Sequence, residues 1–529
     1  MNAKYDALII GAGHNGLVAA AYLARAGRKV LVLERREVIG GCVVTEELWP
    51  GFKVSTASYV NSLFRPEIIR DLELKRHGFA MIPRSPSSFT PLPDGRYLLM
   101  GPDKEMTRRE VSKFSKKDAE NLPKYEAMLE RVATFLEPML AETPPNPWSE
   151  EPRDLVRLAK LAWRFRKLGA DGQQALEILT GAADPILDRW FESEEIKTTL
   201  STDAIIGAFA TPSMPGTAYV LFHHVMGECD GVRGVWGYVR GGMGALSNAI
   251  ASAARERGAE IKVNAPVSRI VIENGRARGV ALANGDEYAA DRVVSCLDAN
   301  VTFLRLMEHK HLPAGFVEAV KHLDYSSASC KINLALAAVP NFTCLPGKGV
   351  GPQHHGTIHI SPNRTYIERA FDCAKYGYFS ENPVIEATIP SSLDDTIVPK
   401  GQHVMSMFTQ YFPYKLAADA GTLEENKKRY AERCIDIMTE YAPNFRQAVI
   451  GYQVLAPADL EKVFGLTGGN IMQGTMSLSS LSFMRPLPGY ADYRTPIRGL
   501  YLCGAATHPG GGVMGACGHN AAREILKDG

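Results

Sequence analysis

The chain has no Cys-x-x-Cys pair, no apolar run near the roughly 20 residues that a bilayer span requires, and almost no net charge. Its nine cysteines, at positions 42, 229, 296, 330, 344, 373, 434, 503 and 517, are scattered and odd in number. That usage points to a reducing compartment and excludes a zinc ribbon or a redox-active disulfide motif. A formal charge of +1, with 22% charged residues, offers nucleic acid no basic surface and leaves a small molecule or a protein as partner. Gly-x-Ser-x-Gly and P-loop patterns are missing, which removes the usual sequence support for acyl and phosphoryl transfer. Internal repeats and low-complexity tracts are absent too. An apolar strand begins a few residues after Met1, so no leader is expected within the numbered residues, although an organellar one could have been removed before them. The expected location is the cytoplasm in a bacterium, or the mitochondrial matrix for a mature eukaryotic chain.

At 529 residues the length suits two or three domains. From Tyr5 to Gly41 the pattern runs strand, glycine-rich turn, helix, strand, acidic end. Ala7 to Ile10 and Lys29 to Leu33 are short apolar runs fit for buried parallel strands, and Leu17 to Ala26 is rich in helix formers. A second block of this character runs from Gly241 to Asp298, with a helix from Ala245 to Arg257 and strands at 260–263, 267–272, 279–283 and 292–295. A third holds a strand ending at Gly504, then Gly510-Gly511-Gly512 and a final helix over 520–526. The reading is an α/β protein: a nucleotide-binding domain assembled from segments 1–84, 238–301 and 486–529, with a mixed α+β substrate domain inserted as 85–237 and 302–485.

The chemistry is concentrated in Gly11-Ala12-Gly13-His14-Asn15-Gly16. Glycines at these spacings allow a tight turn, close approach of a pyrophosphate, and tight packing of helix on strand, with helix N–H groups facing the phosphates. Glu34 follows at the end of the next strand, where a carboxylate accepts from a ribose hydroxyl and repels a 2′-phosphate. Arg35 and Arg36 are either a solvated pair or a contact to the cofactor phosphates. A second complete Gly-x-Gly-x-x-Gly for a nicotinamide domain is missing. Gly40-Gly41 and the glycine-rich C-terminal segment instead suit a longer cofactor. The cofactor expected is FAD.

These motifs resemble the flavin amine oxidase and phytoene desaturase superfamily. The stretches Ala12–Ala20, Glu34–Gly41, Tyr238–Leu246 and His508–Gly515 are most similar to its phytoene-desaturase-related branch, and within it to the family called pyridine nucleotide-disulfide oxidoreductase domain-containing protein 2. The similarity covers essentially the whole chain, and the disulfide in that family name has no counterpart here. The resemblance implies a Rossmann-type FAD domain of the amine-oxidase kind. By matching position it implies FAD ligands at Gly11, Gly13, Gly16, Glu34, Gly41, Val267, Gly504 and the turn Gly512-Val513-Met514, with Ala12, Asn15, Arg35 and Gly40 alongside.

Two residues are candidates for catalysis. Lys331, in Ser329-Cys330-Lys331-Ile332-Asn333-Leu334, is similar in placement to the amine-oxidase lysine near the flavin, where it would stabilise developing negative charge. The alternative is a lysine on an exposed strand face. His508 precedes Pro509 and the glycines and is read either as a proton carrier at the flavin edge or as a structural hydrogen-bonder. Cys42 reads as a small buried thiol, or as a residue near the flavin. His223-His224 and His354-His355 with His359 have no acidic or thiol partner at ligand spacing, so no metal is expected.

From Arg153 to Leu168, Arg157, Lys160, Arg164 and Lys167 recur at helical spacing, with Leu155, Leu158, Ala162 and Phe165 on another face. The favoured reading packs the apolar face on the protein; the alternative is peripheral contact with an anionic membrane. The function expected is hydride removal from a small apolar, isoprenoid or lipid-like substrate, with reoxidation by oxygen or a quinone. Other readings are a redox-neutral polyene isomerase or saturase, a carotenoid ketolase, and a non-catalytic binding protein of the Rab GDP-dissociation-inhibitor type. The oligomeric state is left open.

Overall fold

The computed structural model describes residues 4–229 and 231–529. Two seven-stranded sheets organise it. In the first, Tyr5–Ile10 lies parallel between Val30–Leu33 and Glu287–Ser295, with Glu260–Lys262 beyond the former and Leu500–Leu502 beyond the latter. The hairpin Val267–Glu273 and Arg276–Leu282 extends antiparallel from the start of Glu287–Ser295. Strands of this sheet come from all three segments that carry βα character in the sequence.

Continuous apolar runs suit these strands because both faces are covered. Ala7, Ile9, Val30, Val32 and Val294 point into a core shared with the helices His14–Arg25, Gly244–Glu256 and Ala516–Lys527. Leu8, Ile10, Leu31, Leu33 and Val293 point into a second core with Phe303, Phe316, Val317 and Val320. The helix His14–Arg25 approaches its neighbour through small residues: a Cβ placed on Gly518 would lie 2.0 Å from the Asn15 carbonyl oxygen.

The second sheet has the order Val449–Leu455, Ser329–Leu336, His403–Gln410, Val384–Thr388, Thr357–Ile360, Ser88–Pro91 and Tyr97–Met100. Its neighbours are antiparallel except for the parallel pair Thr357–Ile360 and Ser88–Pro91. One face carries Ile332, Leu334, Ile358, Ile360, Ile385, Met405 and Met407 and packs on Tyr430, Cys434, Ile435 and Met438 of the helix Leu423–Tyr441. A helical layer that includes Lys116–Leu140, Glu194–Asp203 and Thr217–Val225 forms a separate core. The α/β fold with a discontinuous nucleotide-binding sheet and a mixed second part is as the sequence led one to expect.

The basic helix, Pro152–Lys167, departs from expectation. Its inward stripe is Asp154, Leu158, Leu161 and Phe165, with Phe165 against Phe135. Leu155, assigned to the packed face in the sequence reading, is 53% exposed, and Val156 and Trp163 are 68% and 58% exposed. Ala162 is exposed as well. The apolar residues of this helix therefore fall on two faces, and only one of them is covered.

Overpacking a tight contact costs roughly 1–3 kcal/mol. Gly518→Ala should lower the melting temperature by several degrees in scanning calorimetry. Gly349→Ala, where a Cβ meets nothing within 4 Å, should leave it unchanged.

Candidate functional site

The first strand ends in a turn that leaves little room for side chains. Gly11 has φ +95°, and a Cβ on Gly16 would sit 2.3 Å from the Gly11 carbonyl oxygen. Gly13 pairs with Gly40 through an isolated bridge, and the Gly40 N–H donates to the Ala12 carbonyl at 2.8 Å. The two glycine loops thus close directly on each other. Glu34, at the end of the second strand, is buried and accepts from the Ala12 N–H at 2.9 Å and the Arg36 N–H at 3.0 Å.

These residues open onto one large cavity of about 940 Å³. Gly11, Gly13, Asn15, Glu34, Arg35, Gly40, Gly41 and Val267 line it around the glycine turn, and Gly512 and Val513 line it as well. Other sequence candidates stand elsewhere. Gly504 lies behind the wall, where a Cβ would come within 2.4 Å of the Cys296 carbonyl oxygen, and Ala505 lines the cavity in its place. Met514 turns into the helical core. Gly16 and Ala12 act from the layer behind, through the contacts already given.

The arginine pair is corrected in part. Arg35 Nη2 donates to the Lys462 and Val463 carbonyls at 3.1 and 2.6 Å. Arg36 is held by Glu46 at 2.6 Å and lies 5.2 Å over the Phe464 ring, yet its buried Nη1 has no partner. His14 Nε2 is likewise buried and unpartnered. Burial pushes the His14 ring down to about 4, so it stays neutral with one N–H to donate. Unpaired buried donors are costly; in this wall they are free for an acceptor-rich cofactor.

The other end of the cavity is built on the second sheet. Lys331 pairs with Phe408, Phe408 with Glu386, and Glu386 with His359 across four adjacent strands. All four side chains line the cavity. The alternation in the sequence is real, but the polar face of the strand is enclosed: every residue from Ser329 to Leu336 is buried. The exposed reading of Lys331 is thereby excluded. Its Nζ donates to Asn333 Oδ1 at 2.7 Å and to Ser406 Oγ and lies 4.8 Å from the Tyr59 ring centroid. Burial pushes its pKa down to about 7.

His508 is corrected. Its Nε2 lies 2.8 Å from the Met139 carbonyl, and the side chain faces a separate small pocket formed with Arg523 and Lys527. Burial pushes it down to about 4. The helix Lys116–Leu140 draws the ring outward, away from the glycine turn, so it carries no proton at the cofactor. Cys42 lines the cavity, with burial pushing its thiol up to about 12, which makes it inert near neutral pH. His223 and His224 each face a backbone oxygen, of Gly511 and of Val220. Among the described residues no cluster of His, Cys, Asp or Glu suits a metal.

Sequence reasoning missed Tyr59, Arg84, Asp203 and Glu386, all of which line the cavity. Val384-Ile385-Glu386-Ala387-Thr388 does hold a signal, a lone carboxylate in an apolar strand. Asp203 has none, because it reaches the sheet only through the packing of its helix.

A cavity that begins on a dinucleotide cradle and ends in an enclosed chamber is how a fold carries the reacting ring of a long cofactor to a sheltered substrate. The chain is a flavin-dependent oxidoreductase. Residues 16–400 match the family described as flavin containing amine oxidoreductase. Over 544 aligned positions, covering 99% of this chain and 94% of the relative, it is 48% identical to pyridine nucleotide-disulfide oxidoreductase domain-containing protein 2 of Rattus norvegicus. It is 26% identical to a limonene dehydrogenase component of Castellaniella defragrans, over 99% of this chain and 94% of that one. Cyclohexylamine oxidase from Brevibacterium oxydans shares the fold, with a TM-score of 0.59 at 16% identity over 99% of each chain. The chain belongs to the flavin containing amine oxidoreductase family.

The cofactor is FAD, and the residues fit it: the glycine cradle, the Glu34 carboxylate, and the spare donors His14 Nε2 and Arg36 Nη1. A hydrogen bond to a charged acceptor is worth about 1.5–3 kcal/mol. Glu34→Gln, which loses the charge and sets an NH2 against one of the two backbone N–H donors, should weaken FAD binding about tenfold or more in apoprotein reconstitution and lower the melting temperature of the apoprotein by a few degrees.

Proposed function

We propose that the enzyme oxidises a small substrate with an apolar body, an isoprenoid or lipid-like molecule, and passes the electrons to oxygen or a quinone. The observation that carries this reading is the continuity of the cavity from the glycine loops to Lys331, with Leu63, Leu122, Leu129, Val225, Ile206 and Phe408 among its walls. FAD, when bound, supplies the two-electron acceptor. The chain supplies enclosure, an apolar wall that orients the substrate, and a charge at Lys331.

Lys331 is the group that responds to developing negative charge. It is held by two neutral oxygens, of Asn333 and Ser406, so its ammonium remains available as an electrostatic partner in a water-poor site. With its pKa lowered to about 7, it is charged below neutrality and neutral above. The relative whose name makes limonene its substrate supports an apolar class, since limonene is a hydrocarbon.

Anaerobic mixing with candidate lipids and terpenes, followed by loss of the visible flavin absorbance, tests the reading. With a non-ionisable substrate the bleaching rate should fall as pH rises through 7. In Lys331→Met it should be slower by about tenfold, the size of a removed stabilising charge, and flat across that range. A substrate isomerised without bleaching, or a variant that keeps the profile, counts against it.

We also propose that the helix Pro152–Lys167 rests on an anionic membrane surface from which such a substrate is taken. Exposed Val156 and Trp163 beside the exposed cations Arg153, Arg166 and Lys167 support this, since apolar insertion and lipid charge act together in interfacial helices. No helix among the described residues is long and apolar enough to cross a membrane. The protein should co-sediment with vesicles containing phosphatidylserine and less with phosphatidylcholine alone. Val156→Ser with Trp163→Ser should release it.

A further inference from the structure

The polar row across the second sheet does not end at Lys331. Glu386 is 4% exposed and its Oε1 has no hydrogen-bond partner, although it lines the cavity. His359 Nδ1 stands 3.5 Å from that oxygen and also meets Thr202 Oγ1 at 3.0 Å. The helix Glu194–Asp203 brings Asp203 into the same wall, and Arg84 joins them, donating to the Trp236 carbonyl and the Thr357 hydroxyl, both neutral. A chamber meant for a plain hydrocarbon has little use for such groups, because a buried carboxylate oxygen served by a long His359 contact of 3.5 Å is incompletely satisfied. The row needs an occupant that supplies a donor.

From this geometry we propose that Glu386, with Asp203 and His359, forms a head-group subsite for a neutral hydroxyl, so that the substrate is an amphipathic alcohol and not a hydrocarbon. This rests on the reading of Lys331 as the residue beside the reacting end. Between Lys331 and Glu386 stand two strand spacings of about 4.8 Å, roughly 10 Å in all, which sets the distance from the hydroxyl head to the bond oxidised at about the length of a medium alkyl chain.

A neutral head is favoured by the local charges. Although burial opposes it, His359 holds the Glu386 carboxyl below its ordinary value, whereas burial raises that of Asp203. Glu386 already has a partner in His359 at 3.5 Å, and Asp203 stands in the same chamber. A hydroxyl donates its hydrogen bond to Glu386 without bringing a charge. An ammonium or a carboxylate would add an uncompensated interior charge.

The test is a binding series on the FAD-loaded enzyme, using decane, decanol, decylammonium and decanoate, read by perturbation of the visible flavin spectrum and by calorimetry. Decanol should bind at least tenfold more tightly than each of the other three, the effect of one hydrogen bond to a charged acceptor. Glu386→Met should level decanol with decane, and Glu386→Gln should keep part of the preference. Equal binding of decane and decanol, preference for either charged head, or no binding by any probe overturns the subsite. Flavin bleaching is a separate readout, made with an isoprenoid alcohol whose allylic C–H bonds a flavin can oxidise: selective binding of the alcohols without any bleaching would leave the subsite standing and count against the proposed oxidation.

Discussion

A lysine enclosed on a central strand, with its ammonium held only by Asn333 and Ser406 and no carboxylate in ion-pair range among the described residues, sets the terms for everything around it. Removing such a charge from water costs several kcal/mol unless the surroundings repay it. The neighbouring strand contributes an aromatic ring at Phe408, and Tyr59, from the N-terminal segment, a second, 4.8 Å from the nitrogen. Neither neutralises the charge. What remains is the space in front of Lys331, and the protein keeps that space open as one chamber that reaches to the glycine loops. The lysine therefore faces an enclosed chamber and no fixed counter-charge.

Keeping such a chamber open requires walls that do not collapse into it. One is tied by Arg485, which is 2% exposed and donates to the carbonyls of Met472, Thr475, Ser480 and Ala505. A fully buried guanidinium with only backbone oxygens for company fixes two cavity-lining segments, Met472–Gln473 and Ala505, in one register. Five donors in a rigid fork do this as a lysine cannot. On the opposite side the Gly13–Gly40 contact draws the two cofactor loops together. A side chain at Gly41 would already lie 3.3 Å from the Gly13 Cα, so the cradle is held by backbone against backbone.

The nucleotide-binding sheet was legible because its constraints are local. Each strand of the parallel core is covered on both faces, so it reads as an unbroken apolar run, and each turn that must approach a phosphate carries glycine. The pattern extended to the alternation of Ser329–Leu336, where the period-two reading was correct and the choice between a solvent-facing and an enclosed polar face stayed open until the structure enclosed it. A sequence states that a strand has two faces; it does not state what stands before them. His508 failed for the related reason that a residue next to a glycine turn can point either way, and here the carbonyl of Met139, 369 residues distant, decides. The same limit applies to the basic helix, whose outward apolar residues Val156 and Trp163 are told from its inward ones only by where Phe135 sits.

The polar row could not have been assembled from the sequence at all. Lys331, Phe408, Glu386 and His359 belong to four strands spread over 78 positions, and they stand side by side only because of strand order and register. A slip of one residue by the strand Val384–Thr388 would send Glu386 into the apolar core against Tyr430 and Ile435. That core in turn forbids the slip, since Ile385 and Ala387 would have to leave it. The apolar face of the sheet therefore specifies the geometry of the polar one. The chemistry in the chamber is positioned by residues that never touch it, and the distance between its two poles is a multiple of the spacing between strands.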